Sequence, residues 1–459
     1  MKNRVWETAR RVATLLEDAG ASRCLLVGGY VRDQLLGIDS KDLDIEVYGL
    51  SYDEIKAALS PHFPVNLVGA DFGIAKIGPH LDVSIPRRER KKGRGHRGFE
   101  VTPDPEMDFA EAAARRDFTI NSMGMDFEGR ILDPFGGEAD LRRKILRATS
   151  SAFSEDPLRV LRGMQFAARF DLAMAPDTVS MCRNIANEFA TLSRERLWGE
   201  WAKWTGGDFP GQGLAILLES EWLKHFPVLA AMVGVPQQAE WHPEGDVWTH
   251  TGHVVAAAAQ FCRDNEIAAE DRQVLMFSAL LHDCGKPATT VRDRQGRWVS
   301  PDHAGVGRQL ARDFFYQVMA PHGIVERVLP LVAEHMAHLS ISRRKSPSPR
   351  VVRRLAARLA PATIREWRLL VRADYAGRPP LPPADPAAVW QQLAEELCLA
   401  DSQPHPILRG RDLMEMGIPA GPQMGQLLNL AFEAQLDGKF EDKEGALKWL
   451  KKQEPLGRE

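Results

Sequence analysis

Asp42 and Asp44 flank Leu43 in a stretch where Leu43, Ile45 and Val47 alternate with polar residues. A period of two marks a half-buried strand, so the two carboxylates share one face and Leu43 points to the other. Carboxylates so placed bind a divalent cation. Mg²⁺ takes hard oxygen ligands and commonly combines one or two carboxylates with substrate phosphates, the minimum apparatus for two-metal phosphoryl or nucleotidyl transfer. Alone, Asp-x-Asp is more often a solvated strand face. Just upstream, the apolar run Cys24 to Val27 ends at Gly28-Gly29 and opens a helix carrying Arg32 and Asp33. Glycine lets backbone approach a phosphate, the amides of a helix N-terminus point at it, and Arg32 offers a charge-assisted contact to a triphosphate. Read in isolation, the two glycines are a plain tight turn.

A second set of chemistry-bearing residues lies far downstream. His282-Asp283 ends an apolar helical run, His250 precedes it in VWTHTGH, and His303, His335 and Asp374 follow. This order resembles the HD phosphohydrolase superfamily. That resemblance implies that His250, His282, Asp283, His303, His335 and Asp374 converge on one or two divalent metals, whose bound water attacks a phosphoester. His242 and His253 are expected to be a loop and a helix-surface residue rather than ligands. The bland reading is a vestigial helical scaffold.

Around Asp42 and Asp44 the match extends over ordered motifs. GGYVRDQLLG followed by KDLDIEVYG resembles motif A of the class II tRNA nucleotidyltransferase and bacterial poly(A) polymerase family. Arg115 to Asn121 matches its RRDFTxNA, with Ser122 for the usual Ala; Asp133 to Gly137 matches DPFGG; Glu155 to Arg159 matches EDxxR; Ser193 to Arg196 resembles the last motif. The resemblance implies a polymerase β-like α/β head with a mixed sheet, followed by a mostly α-helical neck, an HD domain and a tail. It implies Mg²⁺ on Asp42 and Asp44, and ribose contacts from Arg116 and Asp117. Asp156 and Arg159 would hydrogen-bond the edge of CTP or ATP, with Arg162 on the same helix face also contacting nucleotide. Gln165 stands where many relatives carry another Arg, which removes one contact. Asp82, in a strand-like segment, corresponds to a third acidic residue of some relatives. Enzymes joining such a head to an HD domain suggest CCA addition to the tRNA 3′ end, with a 2′,3′-cyclic phosphodiesterase or phosphatase activity in the HD domain. Addition of C or A alone, or of poly(A), stays open.

The elements that must position these groups follow from patterning. Val5, Ala9, Val12 and Leu16 repeat at helical spacing, and Ile74 to Ile77, Leu81 to Ile85 and Gly124 to Phe127 read as strands. From Asp156 onward the pattern is helical, with Leu158, Leu161, Met164 and Ala168 forming a buried stripe. Pro/Gly clusters near 206–213, 233–246 and 377–386 suggest a head over 1–145, a neck over 146–232, an HD domain over 233–380 and a linker with tail over 381–459. The tail, Gly410-Arg411-Asp412-Leu413 through Gly421-Pro422 and Gly425, resembles the family's tRNA-holding tail.

With 44% hydrophobic and 26% charged residues the 459-residue chain is an ordinary globular composition. Its apolar runs are too short to span a bilayer, and no signal peptide is read at the N-terminus. Five scattered cysteines without a Cys-x-x-Cys pair disfavour a disulfide framework and place the chain in a reducing cytosol. A formal net charge of −3 does not exclude RNA, because phosphate contacts need only a local basic stripe. Arg87 to Arg97 is such a stripe, and Arg88, Arg90, Lys91, Lys92 and Arg94 are its candidate RNA contacts; otherwise it is a solvated hairpin tip. Oligomeric state is not legible.

Overall fold

A computed structural model describes residues 2–40, 42–67, 74–91, 99–341 and 346–453. It divides into two compact units, Met1–His225 and Phe226–Glu459. Phe226, at the start of the second unit, is fully buried and packs beside Phe314 of the same unit. Among the described residues no helix is long and apolar enough to cross a membrane.

The first unit opens with helix Lys2–Asp18, whose Ala9, Val12 and Leu16 are fully buried against the sheet, as their spacing requires. The strands are β1 (Arg23–Val27), β2 (Leu43–Tyr48), β3 (Val65–Leu67), β4 (Ile74–Ile77), β5 (Leu81–Ser84), β6 (Arg87–Lys91), β7 (Phe99–Pro103), β8 (Gly124–Met125) and β9 (Ile131–Leu132). Among the described residues they form a seven-stranded sheet, ordered β3-β4-β5-β2-β1-β8-β9, and a separate β6-β7 hairpin. β1 pairs antiparallel with β2, whereas β2 and β5 run parallel, so the sheet is mixed as expected. Leu43, Ile45 and Val47 sink into the core beneath β2 while Asp44 faces outward. Helix Leu158–Phe170 packs its Leu158, Leu161, Met164 and Ala168 stripe against helices Arg194–Thr205 and Pro210–Glu219.

In the second unit, helices Val247–Asp264, Ala269–Leu281, His303–Val318, His322–Glu334 and Ile364–Ala376 pack around one another. The Pro-rich stretch near 377–386 is largely coil, but it is not a free tether. Asp385 accepts from Arg368 at 2.7 and 3.0 Å, which pins the stretch to helix Ile364–Ala376. The last helices, Gly410–Glu415, Pro422–Leu436 and Lys443–Gln453, have their own apolar cluster around Leu413, Ala446 and Leu450.

Candidate functional site

β2 and the residue before it present Asp42 and Asp44 on one face. The parallel register sets Asp82 of β5 directly beside Asp44. Asp42 is 75% exposed at its side chain and takes a 2.9 Å contact from His80 Nδ1; Asp82 receives Lys76 Nζ at 3.1 Å. Partial removal from water, then the neighbouring Asp82 carboxylate, hold the Asp44 pKa above its usual value, against the opposing charges of Arg116 and Lys76. Carboxylates along one face that repel one another suit a hard divalent cation that would relieve the repulsion, although the oxygens of Asp42, Asp44 and Asp82 do not all meet as closely as the ligand groups of the second unit.

Gly28 meets this cluster with φ +70°, a conformation for which glycine is suited, and a Cβ there would stand 3.9 Å from Asp44 Oδ2. Arg116 lies on the same side, donating to both Glu46 oxygens at 3.2 Å and to the Asn121 carbonyl at 3.3 Å. Arg32 does not reach out to a phosphate. Its guanidinium is buried, donates to Asp33 at 2.6 and 2.9 Å and to Asn121 at 2.6 Å, and stacks over Phe166 and Phe170. An arginine on a helix of seven residues can turn inward where aromatic faces and carboxylates replace its hydration, and here they do.

Asp117 is buried as well. Its Oδ2 receives Arg162 Nε at 2.7 Å and Nη2 at 2.6 Å, and its Oδ1 receives Asn121 Nδ2 at 3.0 Å and the Phe118 amide at 2.8 Å. Burial opposes ionisation, but Arg162, the Asn121 hydrogen bond and Arg159 outweigh it, so the carboxyl stays below its usual pKa. Asp156 caps helix Leu158–Phe170 through the Leu158 amide at 3.0 Å and is held by Arg196 Nη2 at 2.8 Å. Arg159 donates to the carbonyls of Ala152 at 2.9 Å and Arg115 at 2.6 Å, fixing its plane. Gln165 is buried and does not offer a surface contact. The two glycines of DPFGG have different causes: a Cβ at Gly137 would stand 2.2 Å from the Thr119 carbonyl, whereas Gly136 takes φ +72°, and Asp133 caps the Gly137 and Glu138 amides.

The described part of the basic stripe, Arg87–Lys91, is β6 of a hairpin, with Arg88 opposite Thr102. Arg88 is not a spare charge: it pairs with Asp104 at 2.7 Å and with Glu111, an acidic neighbourhood that only the fold brings to it. Arg90 and Lys91 lie on β6, with their side chains outside the description; Lys92 and Arg94 lie outside the described residues.

In the second unit, the predicted histidines and aspartates come together from five helical segments. His250 Nε2 lies 3.2 Å from Asp374 Oδ1, 3.3 Å from His282 Nε2 and 3.7 Å from Asp283 Oδ2. On the other side of the same carboxylate, Asp283 Oδ1 lies 3.3 Å from His303 Nε2 and 3.7 Å from His335 Nε2, and those two nitrogens are 3.2 Å apart. Asp283 therefore joins two candidate cation positions, one with His250 and His282 and one with His303 and His335. His282, His303 and His335 turn Nδ1 to the carbonyls of Ala279 (2.9 Å), Ser300 (2.8 Å) and Val332 (2.7 Å). A carbonyl accepts only from Nδ1–H, so each neutral ring aims an Nε2 lone pair inward. Lone pairs facing one another at 3.2 to 3.3 Å fit a cation placed between them and the carboxylates. Burial, then His303 and His282, push His335 down to about 3, so it is neutral and able to ligate at pH 7.

Several participants escaped the sequence reading. His253 is exposed as expected, but His242 is largely buried and reaches Glu244. Lys286 Nζ holds Asp283 Oδ2 at 2.7 Å, and Arg378 holds Asp374 Oδ1 at 2.6 Å. Spacings of three and four residues on helical segments carried a findable signal for both. His80 and Glu46 had none, since their positions depend on strand pairing.

Residues 24–147 match the Poly A polymerase head domain, and residues 247–376 match the HD domain. The multifunctional CCA protein of Vibrio parahaemolyticus is 34% identical over 362 residues, 77% of this chain and 85% of that protein. That of Hahella chejuensis is 35% identical over 375 residues, 78% of this chain and 85% of that protein. In fold, the chain resembles the Bacillus stearothermophilus CCA-adding enzyme in complex with CTP (TM-score 0.65, 23% identity, covering 96% of this chain and 95% of that one). It also resembles the Thermotoga maritima CCA-adding enzyme complexed with tRNA (TM-score 0.59, 16% identity, 98% and 95%).

Proposed function

The chain belongs to the multifunctional CCA protein family, and from that premise we propose how its residues divide the work. It is a nucleotidyltransferase that adds C, C and A to the 3′ end of tRNA, taking CTP and ATP. The observation that carries this reading is the Asp42, Asp44 and Asp82 face beside the Gly28 turn, on a head-domain match.

Asp42 and Asp44 would hold Mg²⁺, which would supply charge stabilisation for nucleotidyl transfer to the RNA 3′-hydroxyl with loss of pyrophosphate. Gly28 and Gly29 let the triphosphate approach backbone, and Arg116, on the same side, meets the ribose. Asp117, with both oxygens taken by Phe118, Asn121 and Arg162, does not offer the ribose acceptor expected of it and instead holds Arg162 on the helix face beside the ribose. Asp156 and Arg159 present acceptor and donors to the edge of the base, in planes already fixed by Arg196, Leu158 and the carbonyls of Ala152 and Arg115. The head spans 1–145, the neck 146–232, the HD domain 233–380, and the linker with tail 381–459. The HD residues His250, His282, Asp283, His303, His335 and Asp374 hold divalent metal for hydrolysis of a phosphoester such as a 2′,3′-cyclic phosphate. The enzyme works in the cytoplasm.

The test is extension of labelled tRNA lacking CCA, with CTP, ATP and Mg²⁺. Products three nucleotides longer are expected. Extension by C alone, by A alone or by a long A tract would replace CCA addition with those activities, and no extension would overturn the assignment. Metal-dependent opening of 2′,3′-cAMP to 2′- or 3′-AMP, lost in His282→Ala, tests the second activity.

A further inference from the structure

Glu244 lies three residues ahead of the HD-domain match, in the coil that leads into helix Val247–Asp264. Its side chain is 0% exposed. Oε1 sits 2.7 Å from His250 Nδ1 and 2.9 Å from His242 Nδ1, while Oε2 has no hydrogen-bond partner among the described residues. One carboxylate oxygen thus collects two imidazole N–H groups, and one of those rings turns its other nitrogen into the cluster.

The rings around Asp283 are not backed alike. His282, His303 and His335 donate Nδ1–H to backbone carbonyls, whereas His250 donates to a buried carboxylate, with the Gly377 carbonyl farther off at 3.2 Å. A carboxylate behind a histidine withdraws its Nδ1 proton more strongly than a carbonyl and makes Nε2 the more basic ligand. A count of inner carboxylates does not decide between the two cation positions, because Lys286 and Arg378 offset part of the charge of Asp283 and Asp374 on the His250 side.

We propose that Glu244, steadied by His242, is a positioning residue that makes the two cation positions unequal, so that the first divalent ion binds on the His250 side of Asp283. This rests on the reading of the second unit as a divalent-metal site. Gln237 belongs to the same coil and extends the support: its Oε1 takes Lys286 Nζ at 2.7 Å and its Nε2 donates to the Gly245 carbonyl at 3.3 Å. The stretch from Gln237 to Glu244 is thus a strap behind the cluster rather than a plain linker.

The test uses the full chain carrying Asp42→Ala and Asp44→Ala, so that only the second unit reports, and titrates Mn²⁺ alone, with free ion followed by electron paramagnetic resonance. Two binding steps are expected. Glu244→Gln keeps the shape and an acceptor but removes the charge; it should weaken the first step about 10- to 100-fold and leave the second within about threefold. His242→Ala leaves the Glu244 bond to His250 and should weaken the first step by less than Glu244→Gln does. Glu244→Asp, which keeps the charge with shorter reach, should recover part of the loss and serves if the glutamine variant does not fold. An unchanged first step in Glu244→Gln, or equal weakening of both steps, would overturn the proposal. Loss of one whole ion in His242→Ala would also overturn it, by making His242 a ligand in its own right. No Mn²⁺ bound before any change at Glu244 would overturn the metal reading itself.

Discussion

Asp42 and Asp44 stand at an open strand face, with Asp42 three-quarters exposed, whereas His250, His282, Asp283, His335 and Asp374 are each at most 3% exposed on helices that enclose them. The first cluster offers only oxygen and leaves space for phosphates; the second mixes imidazole nitrogen with carboxylates and already fixes its ring orientations. Oxygen ligands in the open suit a weakly held hard ion shared with a substrate, and buried nitrogen ligands suit an ion held by protein alone. The polar groups around them differ accordingly. Near Asp44 the carboxylates repel one another despite Lys76 on Asp82, while near Asp283 both carboxylates are held by a cation, Asp283 by Lys286 and Asp374 by Arg378.

The sharpest way to break this contrast is to remove one cluster and measure both activities. Asp44→Ala should reduce tRNA extension by about 1000-fold or more, the scale of losing a group that stabilises transition-state charge, and leave metal bound by the second unit unchanged. His282→Ala should do the reverse. Cross-loss in either direction would mean that the clusters are not independent.

Acid should separate them next. His335 and His242, held at about 3 and about 4, bind a proton more weakly folded than unfolded, where the value is near 6.5. The metal-free second unit therefore loses stability as pH falls from about 6.5 towards 4, because the unfolded chain takes up the protons. His250 works in the opposite sense: its raised pKa contributes stability that is full below about 6.5 and fades as pH rises through the folded value. Thermal melting of metal-free protein between pH 7 and pH 4 checks the net fall, which His242→Ala should reduce.

A smaller effect is expected at the buried ion pair of the first unit. Asp117→Asn leaves Arg162 without its counter-charge and should cost about 2 kcal/mol, below the range for wholly buried pairs because Arg162 stays a third exposed. The depressed Asp117 pKa means that its contribution is present above about 3.9 and lost as pH falls through the lower folded value, so the variant should show a flatter acid limb in denaturant titrations. Of similar size, Gly28→Ala should cost about 1 to 3 kcal/mol, because φ +70° with ψ −133° lies outside even the left-handed region open to L residues, measurable as a shift in the urea midpoint, while slowing extension through the altered turn.

Much of this was written in the sequence. The alternation at Leu43, Ile45 and Val47 fixed which way Asp42 and Asp44 point, because a strand has only two faces. The stripe Leu158, Leu161, Met164 and Ala168 likewise fixed the buried side of its helix. Local periodicity, however, carries no information about partners distant in the chain. Whether Arg32 reaches solvent depended on Asn121, Phe166 and Phe170, and whether Arg88 carries a spare charge depended on Asp104 and Glu111.

The sequence by itself determined the chemistry available to this protein: the carboxylates of a strand, the ordered motifs around them, and a set of histidines and aspartates of ligand type. Tertiary structure decided the rest. It set Asp82 beside Asp44 through a parallel register, made Asp283 common to two candidate cation positions, and, among the described residues, put a carboxylate behind His250 Nδ1 where His282, His303 and His335 have carbonyls, since hydrogen-bond partners and enclosure from water arise only when separate segments pack.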